Sequence, residues 1–224
     1  MINDIDRIPI DIISIRLSPS HLFPILKMKK NTICWIKTVS PETAAGELQE
    51  INQKVASPLG NVDNVYQAQS LCPKTILGHD VLYKSVLHDP NCLTPMWFLE
   101  AIAVYVSLLN KCTYAVTHHG SNLEHLMVDA NKSKQALKAL QNDEPQNYFE
   151  GKELALMRYA RKLTLTPSEI IENDIKQLQQ AGATDKEILE INQVTASFAY
   201  SNRVINGLGV DLGDEPVGFY VEDK

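Results

Sequence analysis

The chain has 224 residues, 44% of them hydrophobic and 21% charged, with a formal net charge of −6. That is enough length and apolar content for one buried core and too little charge for a disordered chain. No basic stripe accompanies the acidic balance, which argues against nucleic acid and anionic membranes as partners.

Residues 1–34 read as an N-terminal arm. Pro9, Pro19 and Pro24 interrupt it, and the β-branched run from Ile8 to Ile15 suits a short strand. Acids and prolines stand where a secretion leader needs positive charge and a clean apolar stretch. No apolar run reaches the roughly 18 residues that span a bilayer, so the expected location is cytoplasmic. Met28, followed by Lys29 and Lys30, is an alternative start.

Residues 35–212 are expected to be one helical domain. Ser40-Pro41-Glu42-Thr43 has the composition of a helix start, with a cap, a proline at the first helical position and an acid in the first turn. That helix fades before the Ser57-Pro58-Leu59-Gly60-Asn61 loop. A short helix follows over Val65 to Leu71. Another opens at Pro73 and carries Ile76, Leu77, Val81, Leu82, Val86 and Leu87 before His88-Asp89-Pro90-Asn91 breaks it. Thr94-Pro95 begins a helix that is apolar nearly all round from Phe98 to Leu109, and such a helix is buried on most faces.

Glu100 interrupts that apolar surface, and buried glutamates are rare unless paired. Asn110 suits an N-cap, which places Cys112 in the first turn of the next helix, expected to reach about Val128. There the positive end of the helix dipole favours a thiolate. Cys112 to His119 spans roughly 700° of helical rotation, so both side chains share a face with Ala115 between them. His118 falls off that face and reads as structural or interfacial. A tight turn near Asn110 would bring Glu100 back toward His119, giving a carboxylate that orients an imidazole beside a thiol. His118, His119 and His125 lack the spacing of a metal site, and no cofactor motif is present.

Lys134 to Leu140 is a short amphipathic helix, followed by an exposed Asn142–Pro145 loop. Glu153 to Leu163 is helical. Thr166-Pro167-Ser168-Glu169 is a second start signal, for a helix reaching about Gln180 and stopping at Gly182. Thr184 to Glu187 is a capping box that opens a long helix to about Asn206, ended by Gly207 and Gly209. Residues 213–224 are an extended tail. The fold class is all-α, a bundle of roughly seven to nine helices. Cys34, Cys72, Cys92 and Cys112 are scattered and make no disulfide framework.

Glu100, Cys112 twelve residues on, position 115 three later and His119 four after that resemble the active motif of the alkylhydroperoxidase D-like, carboxymuconolactone decarboxylase family. The likeness is greatest to its longer, peroxidase-related branch. WIKTVSPETAAGELQEI, VDNVYQAQSL, VLYKSVLHDP, YARKLTLTPSEI and SNRVINGLGVDL resemble segments of that branch, so the likeness runs over most of the chain from Trp35 onward. The family motif is a glutamate, a Cys-x-x-Cys pair and a histidine. This chain reads Cys112-Thr113-Tyr114-Ala115, so the cysteine the family exposes to peroxide is an alanine, and Cys112 stands where its resolving partner would be.

The resemblance implies a peroxidase-type oxidoreductase that reduces alkyl hydroperoxides in antioxidant defence. Cys112, His119 and Glu100 would form its proton relay, and an external thiol its reductant. Its alternative is cysteine-independent acid–base chemistry on a lactone or keto acid, with His119 as base and Glu100 as its support, and a non-catalytic member is a third. It also implies a homo-oligomer, a dimer, trimer or hexamer.

Overall fold

A computed structural model of the chain describes residues 33–57 and 60–220. The expected N-terminal strand and the alternative start lie outside the described residues. Within them the protein is all helical, as the periodicity predicts. In chain order the helices are α1 (Glu47–Val55), α2 (Asn64–Gln67), α3 (Pro73–Leu87), α4 (Met96–Leu109), α5 (Thr113–Met127), α6 (Ala130–Gln141), α7 (Gly151–Leu165), α8 (Glu172–Gln180) and α9 (Asp185–Leu208). No described helix is long and apolar enough to cross a membrane.

The centre of the bundle is α4. Every residue from Phe98 to Ser107 is buried, because α5, α6, α7 and α9 pack around it and α3 closes one side. Leu99, Ile102, Val104 and Val106 meet Leu123, Leu156, Ile191 and Phe198 in one continuous core. A helix with no polar face is stable only when surrounded in this way.

Some boundaries depart from expectation. Ser40 to Thr43 forms only a turn, with the Thr43 N–H on the Ser40 carbonyl at 3.1 Å. Gly46 then takes a left-handed φ of 58°, and α1 begins after it. Thr166-Pro167 likewise nucleates a single 3-10 turn, Pro167–Glu169, and α8 starts only at Glu172. The α6 helix is longer than expected because Asp129 caps it, accepting from the N–H groups of Asn131 and Lys132 at 2.9 and 3.1 Å. The Thr184 capping box is present, with Glu187 Oε2 accepting from the Thr184 N–H at 2.8 Å. Gly209 ends α9 in a left-handed conformation, φ 60°. A Cβ there would collide with the Trp35 indole, so no other residue fits.

Asn110 is not the N-cap of α5. It closes α4, and Cys112 itself occupies the N-cap position. Lys111 turns the chain with φ 55°, while the Cys112 N–H bonds back to the Ser107 carbonyl at 2.9 Å. Three residues thus reverse the chain, and α5 runs back alongside α4.

Candidate active site

That reversal returns His119 to Glu100. The Nδ1–H of His119 donates to Glu100 Oε2 at 2.7 Å, and the second oxygen, Oε1, accepts from Asn122 Nδ2 at 3.0 Å. Glu100 is 0% exposed. A carboxylate this deep is costly unless its oxygens are satisfied, and the two donors one helical turn apart on α5 satisfy both. His119 is packed edge-on against Phe198 at 4.6 Å and Tyr83 at 5.9 Å between centroids. Its Nε2 has no partner among the described residues.

His119 lines a cavity of about 530 Å³ between α2, α3, α5, α9 and the C-terminal tail. Its wall mixes aromatic side chains, Tyr66, Tyr83, Tyr114, Phe198 and Phe219, with polar ones such as Ser57, Asn61 and Ser201. Asp63 and the Asp80–Lys84 ion pair add charge to it. Burial, and then the neighbouring Glu215, pushes the Asp63 carboxyl up to about 6, although His118 and His119 pull the other way. His79, also in the wall, stays neutral. Ser201 gives its hydroxyl proton to the Ser197 carbonyl, so His79 Nε2–H donates to Ser201, while Nδ1 accepts from Gln69. Burial holds this imidazole down to about 4.

Cys112 is placed differently from Glu100 and His119. It is 0% exposed and lies in a small apolar cluster with Cys34, Ala68, Ala115, Ile205 and Val210. Of the motif positions on the first turns of α5, it is Ala115 that reaches the cavity wall. The expected thiolate is not favoured. Burial pushes the Cys112 thiol up, and the Ala115 backbone N–H opposes this only in part. Desolvation of the anion outweighs the helix-end field when no cation stands nearby.

His118 was expected off the working face, yet it lines the same cavity. Its Nδ1 accepts from the Gly218 N–H at 3.2 Å, so Nε2 carries the proton and donates to Glu215 Oε1 at 3.0 Å. The tail is therefore not a free extension. Glu215 Oε2 also accepts from the Asn64 N–H at 2.6 Å, and Asn122 Oδ1 from the Phe219 N–H at 2.7 Å. Phe219 stacks on His88 at 4.3 Å, and Tyr220 on His125 at 5.0 Å. Asn122 thus joins the tail to Glu100. Its position three residues after His119 was a usable signal. Nothing in the sequence marks Glu215 or Asp63.

No protein-family model matches the sequence, and no curated protein matches it either. Solved structures do. A crystal structure of an alkylhydroperoxidase D core, an uncharacterized peroxidase-related protein from Ralstonia eutropha JMP134, superposes with a TM-score of 0.70 at 22% identity. The match covers 83% of this chain and 95% of that one. The chain has the alkylhydroperoxidase D-like fold. An uncharacterized peroxidase-related protein from Silicibacter sp. TM1040 matches at TM-score 0.70 and 24% identity, over 83% of this chain and 94% of that one. The debrominase Bmp8 matches at 0.64 and 17%, with the same two coverages, 83% and 94%. A Cys-to-Ala form of Bmp8 in complex with 2,3,4-tribromopyrrole matches equally well.

Proposed function

We propose that this chain is an enzyme that uses the alkylhydroperoxidase D-like scaffold for proton transfer. Its working group is the Glu100–His119 pair, and its substrate a small, largely apolar organic acid or lactone. The observation that carries this reading is the 2.7 Å His119–Glu100 bond at the wall of the cavity, which leaves Nε2 available while an alanine, not a thiol, stands beside it. Glu100 fixes the tautomer and supports the imidazolium formed when Nε2 removes an acidic C–H proton. The Phe198 and Tyr83 rings packed on His119 lower the local polarity and strengthen its charge interaction with Glu100. Bmp8, of the same fold, is known in complex with a brominated pyrrole, and a ring of that size suits a cavity of about 530 Å³.

The test is solvent-deuterium exchange into a panel of lactones and β-keto acids. Exchange by the wild type that His119→Asn abolishes and Cys112→Ser retains supports the reading. Exchange equal in wild type and His119→Asn overturns it.

A second reading is favoured by the two peroxidase-related neighbours and by Cys112 at the start of α5. Here the thiol attacks an alkyl hydroperoxide, passes to a sulfenic acid and is returned by an external thiol, with His119 moving the proton. Peroxide consumption lost in Cys112→Ser would support it, and equal rates would end it. Both readings carry a homo-oligomer assembled through its helices, which a monomer in sedimentation velocity would refute.

A further inference from the structure

Asp63 immediately precedes α2, where an aspartate ordinarily accepts a hydrogen bond from the second or third backbone N–H of the helix. Here its side chain caps nothing. Both of those donors are engaged elsewhere. The Val65 N–H donates to Tyr114 Oη at 3.3 Å, and the Tyr66 N–H to the Asp63 main-chain carbonyl at 2.9 Å. The first N–H of α2, on Asn64, goes to Glu215 Oε2 of the tail at 2.6 Å. The neighbouring carboxyls are all held. Asp80 has Lys84 and Tyr66, Glu215 has His118 and Asn64, and Glu100 has His119 and Asn122. The Asp63 carboxyl has no hydrogen-bond partner among the described residues, and it lines the same cavity as His119. Its charge is felt across that cavity. His118 and His119 on α5, Glu215 on the tail and Asp80 on α3 act on it, and it acts on Tyr66, Tyr83 and Tyr114. Burial first, and then Glu215, push this carboxyl up to about 6. Below that it is neutral and carries an O–H donor.

We propose that Asp63 is a second catalytic residue of this cavity, giving its proton to a substrate carbonyl oxygen while His119 removes the proton from the adjacent carbon. This rests on the proton-transfer reading and narrows its substrate to a carbonyl compound with an acidic C–H next to the carbonyl. The substrate lies with that C–H toward His119 Nε2 and its oxygen toward Asp63. The Nε2 lone pair takes the proton, and the C–H electron pair becomes a carbon–carbon double bond. The C=O π pair moves onto oxygen, which takes the Asp63 proton. The products are an enol, an imidazolium held by Glu100 and an Asp63 carboxylate. Both protons return when the enol collapses, so no oxidant or reductant enters. The two new charges are opposite in sign and form together, which lowers the cost of separating charge in a partly desolvated cavity. The working form carries the Asp63 proton, so the rate should fall as pH rises through about 6.

The test is deuterium exchange into the same lactones and β-keto acids, measured against pH in the full-length chain for wild type, Asp63→Ala, Asp63→Asn and Asp63→Glu. Asp63→Ala should slow exchange about 100-fold near pH 5.5, the usual contribution of a placed acid. Asp63→Asn keeps a hydrogen-bond donor but has no proton to give. Its residual exchange should lose the wild-type decline between about pH 5 and 7. Asp63→Glu, which restores an acid, should recover part of the rate and the decline with it. The carboxyl satisfies no protein donor, so these variants leave no group stranded, and circular dichroism checks that they fold. Should Asp63→Ala misfold, the Asp63→Asn pH profile decides. Exchange abolished in His119→Asn but retained in Asp63→Ala within about threefold, or an Asp63→Asn profile with the wild-type decline intact, overturns the role of Asp63 and leaves the proton-transfer reading standing. A wild type that exchanges none of the panel overturns both.

Discussion

His118 and His119 are neighbours in sequence, both face the same cavity, and each has a glutamate at hydrogen-bond distance. His119 pairs with Glu100 at 2.7 Å and His118 with Glu215 at 3.0 Å. The difference is in the remaining nitrogen. Both nitrogens of His118 are engaged, one by Glu215 and one by the Gly218 N–H. In the described residues His119 keeps Nε2 for whatever enters. An imidazole with both nitrogens bonded to protein holds structure, and one with a free nitrogen can exchange a proton with a ligand. The carboxylates differ as well. Glu100 sits on the central helix and cannot move without the core, whereas Glu215 sits on a tail held by hydrogen bonds and stacked rings.

The largest expected effect separates the two imidazoles. His119→Asn should lower proton-transfer activity by about 100-fold or more, the usual contribution of a placed acid–base group, while His118→Asn changes it only a few-fold. Equal losses would erase the distinction.

Next comes stability. Glu100→Leu leaves the His119 and Asn122 donors unpartnered in the core, and should cost about 3–5 kcal/mol in denaturant unfolding. Glu215→Leu strands the buried Asn64 N–H and the His118 Nε2–H beneath the tail and should cost about 1–3 kcal/mol. A Glu215 variant as damaged as the Glu100 variant would mean that the tail belongs to the core.

A smaller effect is expected at Gly218, whose φ is 88° and whose added Cβ would meet Ser121 Oγ at 3.0 Å and Asn122 Oδ1 at 3.1 Å. Gly218→Ala should cost about 1–2 kcal/mol and loosen the His118 contact. Faster limited proteolysis of the tail with His119-dependent activity retained would show it.

The smallest net effect is on pH dependence, because two wall residues oppose each other. Asp63 is held up from 3.8 to about 6, so the folded chain keeps a proton that the unfolded chain releases, and stability falls as pH rises through that window. His79 is held down from 6.5 to about 4, so the unfolded chain binds a proton that the folded one refuses, and stability rises with pH over that range. Asp63→Asn should therefore leave a stability curve that climbs more steeply between about pH 4 and 6.5. A curve unchanged from wild type would mean that Asp63 is not held protonated by the cavity.

Much of the helical order was legible because periodicity, prolines and caps are local. The failures are also physical. Ser40-Pro41 and Thr166-Pro167 carry genuine start signals, but Gly46 in one case and the extended Ile170–Ile171 backbone in the other postpone the helix beyond the signal. Asn110 is equally good at either end of a helix, and only the left-handed Lys111 decided which it closes. His118 was set aside by helical phase, because phase cannot reveal that a tail about a hundred residues later returns to meet it.

The sequence by itself determined the helical character of the described residues and one buried carboxylate, Glu100, inside its most apolar helix, with a histidine at a spacing that permits return. Those are consequences of pattern along the chain, where each residue's neighbours are known. Tertiary structure alone decided that Cys112 is sealed in an apolar cluster, that Ala115 faces the cavity, and that the tail occupies the second histidine. Burial and hydrogen-bond partnership depend on segments far apart in the chain, and these two quantities set whether a thiol ionises and whether an imidazole nitrogen is free.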